Sequence, residues 1–245
     1  MNCIALITAR GGSKRLPGKN IMRFAGRPLI HWSCEAAQAA TTVRRTIVST
    51  DSAEIAACAR ASGAETPFLR PAALSGDVSS HYDVIAHALD WIEADEGALP
   101  DFLCLLQPTS PLRTGEDIDG TVELAAHNGA DSAFSVSPVT VHPEIMYRLG
   151  DDGVVGRFLP PVEGYRRGQD MAPLFYVNGA AYVIRPETFR RRQTVVSPNA
   201  LGYVMPLQRS IDIDDETDFV CAEALMTRYQ SERIAQATPD REPQT

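Results

Sequence analysis

Between Ala9 and Asn20 the chain reads ARGGSKRLPGKN, and Arg10, Lys14, Arg15 and Lys19 place four positive charges around Gly11, Gly12 and Gly18. Glycines let the backbone come close to a ligand, and successive N–H groups beside cations can cradle phosphate. The same cations would stabilise the charge that builds on a phosphate leaving group. The spacing is not a Walker loop, which would need glycine at Ser13 and Ser or Thr at Asn20, and it is not GxGxxG. A basic surface turn would use the same residues with no ligand at all.

A second stretch, Ser210-Ile211-Asp212-Ile213-Asp214-Asp215-Glu216, reads as a strand running into a helix. In a strand, residues two apart share a face, so Asp212 and Asp214 would present a carboxylate pair while Ile211 and Ile213 turn to a core. Hard oxygen donors of this kind suit Mg²⁺ shared with substrate phosphates. Asp215, Glu216 and Asp218 suit a helix start, and helix capping by Asp214 or Asp215 is the plainer alternative. A third stretch, LLQPTSPLR at 105–113, ends a strand on Gln107 and small hydroxyl residues, which suits a base or ribose and equally a proline-bracketed turn. A fourth pairs Arg166 and Arg167 with Gln169 and Asp170, followed by Asn178-Gly179-Ala180. Paired arginines can grip a carboxylate with two parallel hydrogen bonds. The five histidines show no metal-ligand spacing; His31, His81, His87 and His127 read as surface or core residues, and His142 as a possible lining residue of a site.

The elements that must position these groups alternate. Strands are predicted at 3–9, 46–50, 64–69, 102–106, 132–137, 179–184, 202–206 and 209–213, and helices at 28–40, from 51 or 52 through 61, 78–95, 115–127 and 215–229. Strand–helix alternation argues for an α/β fold, a largely parallel sheet with helices on both faces. In such a sheet ligands bind beyond the carboxyl ends of the strands, so the turns after residues 9, 50, 107 and 137 should gather. Residues 138–176, with five prolines, break the rhythm and read as an excursion of loops and short strands. We read residues 1–230 as one domain and 231–245 as a polar, frayed tail.

Composition narrows the classes. A net charge of -8 over 245 residues argues against a general nucleic-acid binder, while a local cationic cluster still suits a small anionic substrate. No run approaches 18 apolar residues, so no membrane helix is expected. The apolar run at 3–9 is too short for a signal peptide, and its basic residues follow it. The five cysteines lack any CxxC pair, and four sit among small or apolar neighbours, as core residues in a reducing cytoplasm would.

Taken in order, ALITARGGSKRLPGKN, LLQPTSPLR, Gln169-Asp170 with Asn178-Gly179-Ala180, and SIDIDDETDF resemble the acylneuraminate cytidylyltransferase family, the CMP-sialic acid synthetases and their bacterial relatives. The likeness runs from about residue 3 to about residue 226. It implies a Rossmann-like nucleotidyltransferase fold, a Mg²⁺-dependent reaction, and a homodimer in which the excursion reaches the partner's site. It further implies that Arg10, Gly11, Gly12, Ser13, Lys19 and Asn20 bind CTP, with Arg10, Lys19 and Asp212 catalytic. Ser80 and Gln107 would contact nucleotide or sugar; Arg167, Gln169 and Asn178 would face the acidic nine-carbon sugar; Asp212 and Asp214 would hold the metal. N-acetylneuraminic, legionaminic and pseudaminic acids all stay open as the sugar. A CMP-octulosonate synthetase, which RLPGK echoes, and a silent nucleotide-binding relative are the alternatives.

Overall fold

The computed structural model describes residues 1–13, 15–76, 79–160 and 171–237, with side chains through Glu232. Strand β1 (Cys3–Thr8) leads through the small hairpin β2–β3 (Arg23–Phe24, Arg27–Pro28) into α1 (Leu29–Ala39). Strand β4 (Val43–Ser49) is followed by α2 (Ala53–Ala61), and α3 (His81–Glu96) by β5 (Phe102–Leu106). Helix α4 (Gly115–His127) precedes β6 (Ser132–Pro138), and β7 (Tyr147–Leu149) pairs with β8 (Val155–Arg157) in a separate hairpin. The chain closes with β9 (Phe175–Ile184), α5 (Pro186–Arg192), β10 (Leu201–Val204) and α6 (Glu216–Ala237).

The main sheet has the order β10-β6-β9-β5-β1-β4. β1 runs parallel to β4 and β5, and β10 parallel to β6, while β9 alone is antiparallel to its neighbours. The alternation of strand residues sorts the core into two layers. Cys3, Ala5 and Ile7 pack with α1, α2 and α4, whereas Ile4 and Leu6 pack with α3 and α5. Both faces of a central parallel strand are covered, which is why residues 3–7 form an unbroken apolar run. A third cluster joins Phe24, Leu29, Leu112 and Ile213 to Ala222 and Met226 of α6. This is the three-layer, mostly parallel α/β architecture that the alternation of elements predicts.

Several boundaries differ from expectation. Residues 64–69 make one bridge, Glu65 with Ile47, and no strand, because the chain leaves the sheet edge at Thr66-Pro67. Residues 209–213 are not a strand either: a 3-10 turn spans Leu207–Arg209, and the segment beyond it has no ladder. Strand β9 begins at Phe175, four residues before the predicted start, and α6 continues to Ala237 rather than 229. Three cysteines (Cys3, Cys34, Cys104) are buried, while Cys58 is half-buried and Cys221 exposed. Among the described residues, no helix is long and apolar enough to cross a membrane.

The start of α4 anchors the approach to the acidic segment. Thr114 and Asp117 cap each other reciprocally, side chain to backbone. The fully buried Asp117 carboxylate also accepts two hydrogen bonds from Arg209, at 2.9 and 2.7 Å. Removing it strips the cap and leaves a half-buried guanidinium unpaired. Asp117→Ala should therefore lower unfolding free energy by about 2 kcal/mol or more in urea titration.

Candidate functional site

The loops after β1, β4 and β5 meet at one edge of the sheet. Ala9 donates its N–H to the Ser49 carbonyl (3.0 Å), and Gly11 donates its N–H to Asp51 Oδ1 (2.9 Å). A Cβ on Gly11 would stand 3.4 Å from Ser52 Cβ, in van der Waals contact with the loop after β4. Its N–H is taken by Asp51. Gly12 faces no atom within 4 Å of where a Cβ would sit, and the open side of the loop lies there.

That open side borders a cavity of about 460 Å³ lined by Arg10, Ser13, Arg15, Lys19, Asn20 and Gln107, among others. Three cations of one loop, Arg10, Arg15 and Lys19, thus face one cavity. Asn20 is nearly buried and donates to the Arg10 carbonyl (3.0 Å), so it braces the loop from beneath. Lys19 is also nearly buried; its ammonium donates to the Ile213 carbonyl and lies 3.9 Å from Asp214. Burial lowers the Lys19 pKa, and Asp214 and Asp212 pull it back up. Lys14 lies outside the described residues.

The acidic segment reaches the same cavity by a route other than a strand. Ile213 donates its N–H to the Thr109 carbonyl (2.8 Å), which ties residues 210–214 to the turn after β5. Asp214 lines the cavity and is held by Arg15 at 2.8 Å. Asp212 has a different setting. Burial raises its pKa, a Thr109 side-chain hydrogen bond opposes the rise, and Asp214's charge adds to it. Asp212 Oδ2, Gln107 Oε1 and Ser110 Oγ all lie within 3.8 Å of where a Cβ on Gly179 would stand. Gly179 has φ +77°, at the irregularity in the β6–β9 register, so it both makes the bulge and leaves room for these groups. The two aspartates fit the donor set for Mg²⁺ shared with substrate phosphates: both are exposed carboxylates, and Asp214 already attracts the cations Arg15 and Lys19. Among the described residues no group of three or more potential ligands converges.

Other predicted site residues are placed differently. Asn178 is 2% exposed and its amide is used: it accepts from Ser135 Oγ (2.6 Å) and the Ala180 N–H (3.2 Å) and donates to Ser210 Oγ (2.9 Å). It is a brace behind the acidic segment, not a sugar contact. Ser80 caps α3, accepting from the Tyr82 N–H, and lines neither this cavity nor its neighbour; Ser79 lines the neighbour. His142 caps the short turn at 143–145. The turn after residue 137 lines neither cavity. Arg167 and Gln169 lie outside the described residues.

Two residues escaped the sequence reading. Arg70 is 6% exposed, lies 3.6 Å from Asp51, and donates to Ser75 Oγ (3.3 Å). It lines an adjoining cavity of about 280 Å³ with Thr8, Arg10, Leu74, Ser79 and His81. Burial lowers the Arg70 pKa and Asp51 opposes it. A lone arginine inside the otherwise uncharged run Phe68 to Ser75 was the available signal. Arg113 is buried and donates to the Gln107 carbonyl (2.9 and 2.8 Å), to the Ala180 carbonyl (2.9 Å) and to Ser33 Oγ, locking the turn after β5 against β9. A larger recess of about 570 Å³ between α1 and α6 lies behind this turn, and its two arginines are already committed, Arg209 to Asp117 and Arg113 to these acceptors.

A family profile described as cytidylyltransferase matches residues 4–148. The chain is 35% identical over 235 residues to a CMP-N,N'-diacetyllegionaminic acid synthase of Legionella pneumophila, covering 94% of this chain and 98% of that one. It is 33% identical over 222 residues to an N-acylneuraminate cytidylyltransferase of Streptococcus agalactiae, covering 90% of this chain and 52% of that one. The chain therefore spans about half the length of that streptococcal relative. In fold it is similar to a CMP:2-keto-3-deoxy-manno-octonic acid synthetase complexed with CTP, with TM-score 0.68 at 18% identity, covering 94% of this chain and 100% of that one.

If Asn178 is a buried brace, truncating it removes its bonds to Ser135, Ala180 and Ser210 and leaves Ser135 and Ser210 with backbone partners alone. Asn178→Ala should cost about 2 kcal/mol in denaturant unfolding. Unchanged stability would return it to the surface of a ligand site.

Proposed function

Since the chain belongs to the cytidylyltransferase family, we propose that it transfers CMP from CTP to the anomeric hydroxyl of a nine-carbon 2-keto acid sugar, releasing pyrophosphate. The observation that carries the reading is the convergence of Arg10, Arg15, Lys19 and Asp214 on one cavity at the carboxyl ends of the strands. A triphosphate needs that density of cations, and a transferred phosphoryl group needs mainly positioning and charge stabilisation. The names carried by the relatives, N-acylneuraminate and diacetyllegionaminate, support a nonulosonate over an eight-carbon sugar.

In this reading the sugar hydroxyl oxygen bonds to the α-phosphorus while the bond to the β-phosphate oxygen breaks. The hydroxyl proton passes to solvent. Arg10 and Lys19 hold the charge that develops on pyrophosphate. Lys19 is suited to this, because its ammonium is fixed by the Ile213 carbonyl and needs little reorganisation. Gln107 stands over Gly179 beside Asp212, where it would orient the nucleotide or the incoming sugar. Asp212 and Asp214 would hold Mg²⁺, which when bound neutralises phosphate charge and favours ionisation of a nearby hydroxyl. We assign the reaction to the cytoplasm.

We further propose that the protein is a homodimer assembled through the excursion. Leu149, Val154 and Val155 of the β7–β8 hairpin are 74%, 64% and 62% exposed, and Phe175, Tyr176 and Val177 at the start of β9 are also exposed. Apolar side chains clustered this way mark an association surface.

Pyrophosphate release should require CTP and one nine-carbon acidic sugar, with ATP, GTP and UTP inactive; release only with an eight-carbon sugar would move the protein to the octulosonate group. Asp212→Ala should lower kcat at least about a hundredfold, and full turnover in that variant would overturn the metal assignment. Leu149→Asp with Val155→Asp should convert a dimer to a monomer in light scattering.

A further inference from the structure

The two cavities at the strand ends share one wall, made of Thr8, Arg10 and His81. Their outer parts differ in chemistry. The larger gathers Arg15, Lys19 and Asp214, the setting for a polyanion. The smaller combines the buried Arg70 guanidinium with Leu74, Val84 and the hydroxyl residues Ser75 and Ser79. A guanidinium with apolar walls and small hydroxyls suits a neutral ring edged with hydrogen-bond acceptors.

A nucleoside triphosphate is a linear object, with phosphates at one end, a heteroaromatic ring at the other and ribose between. With its ends in the two cavities, its ribose must lie against the shared wall. We infer that His81 is a specificity-determining residue that, with Thr8, reads the hydroxyls of the nucleotide's ribose. The inference rests on the cytidylyltransferase reading.

The local geometry supports it. Thr8 closes β1 and His81 opens α3, yet Thr8 Oγ1 and His81 Nε2 lie 3.3 Å apart across the wall. Although His81 as a residue remains exposed, its surroundings lower the imidazole pKa, through desolvation and then through the charge of Arg70. A neutral imidazole has one donor and one acceptor, and Thr8 has a hydroxyl that serves as either. A ribose hydroxyl is likewise donor and acceptor, so it can replace the Thr8–His81 contact with one bond to each. Arg10, on the same wall, is directed by charge to the phosphates.

The test compares dissociation constants for CTP, 2′-deoxy-CTP and 3′-deoxy-CTP by calorimetry with Mg²⁺, in the wild type, His81→Ala and Thr8→Val. The expected wild type binds CTP about fivefold more tightly than at least one deoxy analogue, the size of one neutral hydrogen bond. His81→Ala should weaken CTP by about that factor and leave the analogue's affinity almost unchanged, so that discrimination disappears. Thr8→Val should narrow the gap in the same direction. The exposed position of His81 at the first residue of α3 keeps its truncation compatible with folding. A gap that persists in His81→Ala, equal weakening of all three ligands, or no gap in the wild type would each overturn the role of His81 while leaving CTP binding intact. Failure of the wild type to bind CTP at all would instead overturn the cytidylyltransferase reading beneath it.

Discussion

The peptide unit on either side of Ile213 is gripped from three directions. Its N–H donates to the Thr109 carbonyl, its carbonyl accepts from the Lys19 ammonium, and its side chain is fully buried against α6. One residue therefore joins the glycine loop after β1, the turn after β5 and the closing helix. These three segments are far apart in sequence, and the acidic segment itself joins no sheet ladder. Asp212 and Asp214 flank that point, so their placement depends on it. A buried ammonium beside a carbonyl is tolerated because it also faces two carboxylates, which offset part of its desolvation.

Behind this grip stand two buried polar braces. Arg113 binds the carbonyls of Gln107 and Ala180, and Asn178 binds Ser135 and Ser210. Each ties β9, the one antiparallel strand, to a segment that carries candidate chemistry. Buried polar networks of this kind specify a single arrangement because every alternative leaves groups unpaired. Asp117 does the same at the entrance to the acidic segment through Arg209. The protein is acidic overall, yet Arg10, Arg15, Lys19 and Arg70 line the cavities at the strand ends. Local placement rather than net charge thus sets the field at the site.

The periodic core was readable because burial on both faces of a central strand demands an unbroken apolar run, as at Cys3–Ile7, and because α3 repeats Val84, Ile85, Ala88, Leu89 and Ile92 on one face. The stretch 209–213 misled for a related reason. Alternating Ile and Asp is the pattern of a half-buried strand, and here it belongs to an extended segment whose buried residue packs on a helix instead of a sheet face. Asn178 misled because an amide beside a glycine reads as a ligand contact until its four partners are seen. Arg70 was passed over and His81 read as a surface or core residue because the partners that place them, Asp51 and Thr8, come from other loops of the chain.

By itself the sequence determined the α/β class, the basic glycine loop, the carboxylates at Asp212 and Asp214 and the order of motifs that relates the chain to cytidylyltransferases. These are properties of local period, residue type and spacing, and they survive without knowledge of what touches what. Only the tertiary structure decided that Asn178 supports rather than contacts, that the Gly11 N–H is taken by Asp51, that Asp214 meets Arg15 across 199 positions, and that Thr8 and His81 form one wall. Such pairings are set by how the sheet edge gathers loops from separate crossovers. The contacts they make carry no periodic trace in the chain.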